Sequence, residues 1–141
     1  MSQAPKTGVS VGAASAGRAS VIVVGYSSKP EGRAALRRAI EEAQVRHSEL
    51  VIVHTSPEPE LADLRGELAA TGIPHRITGS EDVQDPAEEL INAAESADAD
   101  FIVIGLRRRS PVGKRLLGSN AQRVLLDASC AVLAVKAELD S

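Results

Sequence analysis

The chain is short of the residues that several functions require. Its 141 residues include one Tyr, one Phe and no Trp. Proteins that grip single-stranded nucleic acid use aromatic stacking platforms, so the scarcity argues against that class. Cys130 is the only cysteine. It leaves no intramolecular disulfide and no cysteine-rich metal site, and it fits a reducing cytoplasm, the expected location. No apolar run approaches the roughly 20 residues of a membrane-spanning helix. The stretch from Gly8 to Ala19 is small and polar-leaning, unlike an apolar signal core. Charge is not dominated by one sign. The chain carries 16 Lys and Arg against 19 Asp and Glu, a net charge of -3. No general attraction to nucleic acid or to an anionic membrane is expected. His47, His54 and His75 do not have the spacing of a metal site. There is no Gly-x-Ser-x-Gly elbow of the kind that carries a hydrolase triad.

What remains has the composition of an ordinary globular domain, 43% hydrophobic and 25% charged. Residues 1–18 are rich in Gly, Ala, Ser and Thr and show no period, which predicts a disordered tail. Residues 19–137 are read as one domain and 138–141 as a short C-terminal tail.

Within the domain the pattern alternates between two kinds of segment. Val21-Ile22-Val23-Val24 is a β-branched run of the kind found in a strand buried on both faces. Ser28-Lys29-Pro30-Glu31 has the form of a capping box, with Leu36, Ala39, Ile40 and Ala43 following at helical spacing. Arg37 with Glu41 and Arg38 with Glu42 stand one helical turn apart. Leu50 to Val53 reads as a second strand. Leu61, Leu64 and Leu68 mark a helix stopped by Gly72 and Pro74. Ile73 to Ile77 reads as a short third strand. Asp85-Pro86-Ala87-Glu88 opens another helix, whose inner face carries Leu90, Ile91, Ala94 and Ala97. Phe101 to Ile104 is the fourth strand. Ser119 to Gln122 reads as a capping box, with Val124, Leu125 and Ala128 facing inward. Cys130 to Val135 is the fifth strand, with Cys130 as a small core residue.

Strands separated by helices need right-handed crossovers and form a parallel sheet covered on both faces. The predicted fold is α/β, an open, mostly parallel five-stranded doubly wound sheet in the order 3-2-1-4-5. Ligands bind such sheets at the carboxyl ends of the strands, where the order reverses. Two loops would line that crevice. One is Gly25-Tyr26-Ser27-Ser28. The other is "GLRRRSPVGKRLLGSN", Gly105 to Asn120.

The second loop has the chemistry of an anion site. Glycines let backbone N–H groups approach a ligand. The helix beginning near Ser119 favours phosphate through its free N–H groups and dipole. Arg107, Arg108, Arg109, Lys114 and Arg115 add positive charge. The Walker pattern is not met, because Arg108 stands at its first Gly and Arg115 at its Ser/Thr. The Rossmann fingerprint is not met either, because no second Gly follows Gly25.

The chain from Ser20 to about Lys136 resembles the universal stress proteins of the single-domain UspA type. The resemblance is carried by their motif Gly-x2-Gly-x9-Gly-Ser/Thr, for which Gly105 and Gly118-Ser119 supply the outer members. "SPVGKRLLGS" and "AQRVLLDASCAVLAVK" are similar to the family's usual continuation. The resemblance implies a site for ATP, AMP or another adenine nucleotide formed by Gly25, Tyr26, Ser27, Thr55, Ile104, Gly105, Arg107, Arg108, Gly118, Ser119 and Asn120. Thr55 would line the base. Two positions depart from the ATP-binding branch: Arg108 replaces the middle glycine, and Ser27 replaces an Asp at the end of strand one. The reading of the residues therefore keeps two main alternatives, beside a weak ATPase or phosphotransferase for which the sequence offers little. The first is a stress-response module that binds adenine nucleotide and acts through a partner protein. The second is a protein-interaction member of the family that binds no nucleotide. Neither a general base nor a dedicated Mg²⁺ carboxylate stands in the loop, and Glu31 and Asp127 are the nearest acids, so an enzyme is not expected. The resemblance also implies a homodimer formed through strand 131–135. An apolar edge strand that must be paired or covered gives the same expectation independently.

Overall fold

The structure, a computed structural model, describes residues 19–80, 82–108 and 115–137, without the side chains of Glu58, Arg108, Arg115 and Leu116. The predicted tails, 1–18 and 138–141, lie outside the described residues, as do Arg109 and Lys114. In chain order the elements are β1 (Val21–Tyr26), α1 (Pro30–Arg46), β2 (Glu49–His54), α2 (Glu58–Thr71), β3 (His75–Gly79), α3 (Pro86–Ala97), β4 (Phe101–Arg108), β5 (Arg115–Leu116), α4 (Ser119–Asp127) and β6 (Ala131–Lys136). The main sheet runs β3-β2-β1-β4, and β6 continues it beyond β4. All of these pairs are parallel. This is the predicted order 3-2-1-4-5, with the fifth predicted strand realised as β6.

The β-branched runs bury both faces by simple alternation. Ile22 and Val24 face one core with Leu50, Ile52, Leu61, Leu64 and Leu68, beneath α1 and α2. Val21 and Val23 face the other with Val51, Val53, Leu90, Ile91 and Ile102, beneath α3 and α4. The chain thus winds first over one face and then over the other. At the lower end of the sheet the Ser20 hydroxyl donates to Asp100 at 2.6 Å and lies 2.6 Å from the Ser48 hydroxyl. That contact ties together the entries to β1, β2 and β4.

Helix ends follow local chemistry. Asp85 caps α3 by accepting the Glu88 N–H, as predicted. Gly72 ends α2 in the left-handed conformation at φ 74. Two predicted caps are not formed. The N-cap of α1 is Lys29, with no side-chain cap bond, and the Ser27 hydroxyl instead accepts the Lys29 N–H at 3.3 Å. The N-cap of α4 is Gly118, which has no side chain, and Ser119 falls one position inside the helix. In both cases a Pro or Gly sets the backbone entry, so the hydroxyl is displaced from the capping position. Of the two predicted turn-to-turn pairs on α1, Arg38–Glu42 forms at 3.0 Å. Leu125 is exposed rather than inward, while Val124 is fully buried. The third strand begins at His75, two residues later than predicted, because Pro74 cannot donate to the ladder. The predicted fourth strand is longer: β4 continues through Arg108 and turns into a short antiparallel pairing with β5.

Candidate functional site

The sheet divides at its upper end. The β1–β4 ladder is last paired at Val24↔Val103. On the outer sides pairing goes further, to Tyr26↔His54 between β1 and β2 and to Leu106↔Lys136 between β4 and β6. Two central strands that separate while their outer partners hold them apart leave a crevice between their ends.

The first turn of α1 packs beside this opening, and two glycines permit it. A methyl on Gly105 would stand 2.0 Å from the Glu31 carbonyl oxygen, and one on Gly32 would stand 2.4 Å from the Ser27 nitrogen. Gly105 therefore has a packing role beside its place in the cleft: it admits the backbone of a helix. Gly25 is less constrained, since its methyl would meet the flexible tip of Leu90 at 3.1 Å.

The cleft above the opening has two adjoining lobes. The inner lobe, about 210 Å³, is walled by the β1 end (Gly25, Tyr26, Ser27), Val53 and Thr55, Ile104, and Pro86 and Leu90 from α3. The outer lobe, about 290 Å³, is walled by Lys29, Arg107, Gly118 and Ser119. Six residues border both: Ser27, Glu31, Thr55, Gly105, Asn120 and Ala121. Together the lobes reach the range of small-ligand sites, roughly 300 to 1,000 Å³.

The inner lobe is largely apolar, with hydroxyls at Ser27 and Thr55. Burial pushes the Tyr26 phenol above its ordinary pKa, against the opposing pull of Arg33, so it remains a neutral donor. Behind Thr55, the buried His54 accepts the Ser56 N–H on Nδ1 at 3.1 Å, which shapes the turn after β2. The outer lobe is polar. It meets the N-terminus of α4, where a glycine N-cap leaves the first turn without a side-chain acceptor. Arg107 lies over this turn, and a methyl on Gly118 would sit 3.4 Å from its Nε. That Nε is buried and has no hydrogen-bond partner among the described residues. An uncapped helix start beside a buried, unpartnered guanidinium N–H is an arrangement suited to an anionic oxygen.

Ten of the eleven residues expected from the sequence border the cleft. The side chain of the eleventh, Arg108, lies outside the described residues, so its expected ligand contact does too; its backbone is regular strand paired with Arg115. Lys29, Gly32, Val53, Pro86, Leu90 and Ala121 border the cleft without having been picked out for it, and Glu31, named only as a nearby acid, borders both lobes. Pro86 and Leu90 belong to a helix that sequence reading treats as scaffold. Glu31 carried a legible signal, an acid in the first turn of a helix leaving the site, but its placement depends on Gly105. Asp127, the other candidate acid, pairs with Arg123 at 3.6 Å. Among the described residues no three His, Cys, Asp or Glu side chains come together as a metal site.

The two helical walls, α3 and α4, are joined by Arg123. Its guanidinium donates to both Asp85 oxygens, at 2.9 and 2.7 Å, and to Glu88. Arg123, and next the Glu88 N–H, hold the Asp85 carboxyl below its ordinary pKa. A lowered folded-state pKa gives stability that is complete above the unfolded value and disappears as pH falls through the folded one. The stability gap between wild type and Arg123→Ala is therefore expected to close as acid protonates Asp85. Denaturant melts from pH 7 to pH 2 test this, and a gap of constant size would refute it.

These features define the class as a doubly wound α/β domain with a cleft where its central strands part. The model of the Universal stress protein family matches residues 59–136. A universal stress protein of Mycolicibacterium smegmatis is 43% identical over 127 residues, covering 82% of this chain and 97% of that one. The chain belongs to the universal stress protein family. Among solved structures, a universal stress protein from Archaeoglobus fulgidus aligns with TM-score 0.61 and 28% identity over 84% of this chain and 98% of its own. Another, a universal stress protein solved in complex with cAMP, aligns with TM-score 0.62 and 26% identity over 86% of this chain and 99% of its own. No helix among the described residues is long and apolar enough to cross a membrane.

Proposed function

We propose that the protein is a stress-response module that binds an adenine nucleotide in the cleft between β1 and β4 and conveys its occupancy to a partner protein. The observation that carries this reading is the buried Arg107 Nε, without a partner among the described residues, above the uncapped start of α4. Such a donor is costly without an acceptor, and a phosphate oxygen is a suitable one. The apolar inner lobe, with the Ser27 and Thr55 hydroxyls at its rim, suits a base and sugar. A solved relative holds cAMP, which supports the same class of ligand. In this assignment Arg107, Lys29, Gly118, Ser119 and Asn120 hold the phosphate. Gly25, Tyr26, Ser27, Thr55 and Ile104 border the nucleoside, with Gly105 seating α1 beside it. Among the described residues Glu31 is the one carboxylate that borders the cleft, which suits binding rather than turnover.

The test is direct. Purified protein is denatured and any released nucleotide identified; the emptied protein is then titrated calorimetrically with ATP, AMP and cAMP. Binding of at least one, in the micromolar range, is expected. No retained nucleotide and no binding at millimolar concentration would refute the reading and favour the nucleotide-free interaction protein, for which the loss of the strand-one Asp to Ser27 speaks.

The proposed signalling unit is a homodimer. Among the described residues β6 pairs on one side only, with β4. Its Val132, Leu133 and Val135 are half-buried, and Ala134 is exposed. Such an edge is a template for a second copy. Ala134→Lys places a charge on the edge without touching the core. It is expected to raise the dimer dissociation constant about 10-fold or more in sedimentation. A monomeric wild type, or an unchanged constant, would refute this assembly.

A further inference from the structure

We infer that Glu31 is a specificity-determining residue of the cleft, its carboxylate accepting the two hydroxyls of a ribose 2′,3′-diol. The inference rests on the nucleotide reading and deepens it. Of the six residues that border both lobes, Glu31 alone is charged. It stands where the apolar inner lobe meets the cationic outer one, which is where the sugar of a nucleotide must lie. Its position is imposed: with Gly105 beneath it, the Glu31 main chain and Cβ sit where any larger residue on β4 would collide at 2.0 and 2.9 Å. Its carboxylate has no hydrogen bond or ion pair among the described residues.

The chemistry discriminates among the parts of a ligand. A carboxylate offers two acceptor oxygens and no donor, which complements a vicinal diol. It repels phosphate, which is thereby directed to Arg107, Lys29 and the start of α4. Glu31 thus fixes both the identity of the sugar and the direction of the nucleotide. It also supplies acceptor oxygens on the wall where Ser27 offers a single hydroxyl.

The experiment is calorimetric titration of the whole protein, in EDTA, with AMP, 2′-deoxy-AMP and 3′-deoxy-AMP. Wild type is expected to bind AMP about 10-fold or more tightly than either deoxy analogue, as follows from a charge-assisted hydrogen bond. Glu31→Gln is expected to compress that ratio below about 3-fold while leaving pyrophosphate binding equal or tighter, since the loss of the charge removes repulsion. Equal affinities in wild type, or an intact ratio in Glu31→Gln, would overturn the inference and leave the nucleotide reading standing. An effect of the substitution seen only with Mg²⁺ present would assign the carboxylate to a cation and also overturn it. A wild type that binds none of the three overturns the inference, and one that also binds neither ATP nor cAMP removes the nucleotide reading with it. Thermal melts confirm that the variant is folded, and the wild-type ratio needs no variant.

Discussion

Gly105→Ala is expected to destabilise the protein by about 3 kcal/mol, near the upper end of ordinary overpacking costs. For a domain of this size that is a fall in Tm of roughly 10 °C. The added methyl would stand 2.0 Å from the Glu31 oxygen and 2.6 Å from its carbonyl carbon. Both atoms belong to the first turn of α1, so no side-chain rotation relieves the clash. Either α1 lifts from β4, or β4 twists away from β1. Both movements disturb a helix that contributes Ala35, Leu36 and Ala39 to the core. Two other glycines are the controls. For Gly118→Ala the three atoms nearest the added methyl all belong to the flexible Arg107 guanidinium, at 3.4 Å and beyond, and the change should cost less than about 1 kcal/mol. Gly66, inside α2, has nothing within 4 Å of its added methyl, and Gly66→Ala should stabilise by about 0.5 to 1 kcal/mol through helix propensity. Denaturant unfolding of the three variants checks the order. A Gly105→Ala protein as stable as wild type would show that the close approach of α1 is not what this glycine serves.

Arg107→Met is expected to weaken AMP binding by about 10- to 100-fold, the value of one charge-assisted hydrogen bond expressed as an equilibrium. The same change should leave the stability of the free protein unchanged or raise it slightly. The reason is that the native Nε is buried without a partner among the described residues, and removing an unsatisfied donor removes its desolvation cost. Lost affinity with undiminished stability separates a ligand-binding residue from a structural one. Calorimetry and a thermal melt on the same preparation read both. Unchanged affinity would move the phosphate away from Arg107, and a large loss of stability would make Arg107 part of the scaffold.

These two residues show where legibility in the sequence ended. Both were singled out in the sequence, Gly105 from its motif position and Arg107 from its charge. The physical role of each became visible only when distant segments met. Gly105 looked like a place for backbone to approach an anion, and it proves to be where a helix some 75 positions earlier in the chain comes to rest. Arg107 looked like one member of a basic run. It is distinguished from its neighbours because β4 extends past its predicted end and lays this side chain over Gly118. Glu31 was legible as a helix-start acid near the loop, but not as a residue that borders both lobes of the cleft. Its place depends on two glycines, and one of them is on another strand. The misplaced caps at Ser28 and Ser119 have a simpler cause: neighbouring Pro30 and Gly118 set the backbone entry and shifted the helix start by one residue.

By itself the sequence determined the architecture. Alternating β-branched runs and 3.6-period segments allow few solutions other than a doubly wound parallel sheet, because burial on two faces and right-handed crossovers act through local pattern and chain connectivity. The glycine spacing of the loop after β4 likewise marked the family and the side of the sheet that bears the cleft. Only the tertiary structure decided what fills that cleft's walls. The splitting of β1 from β4 after Val24 and Val103, the seating of α1 on Gly105 and the joining of α3 to α4 through Arg123 are contacts between segments far apart in the chain. No local pattern encodes such contacts, since their energies depend on distances that exist only once the sheet has formed.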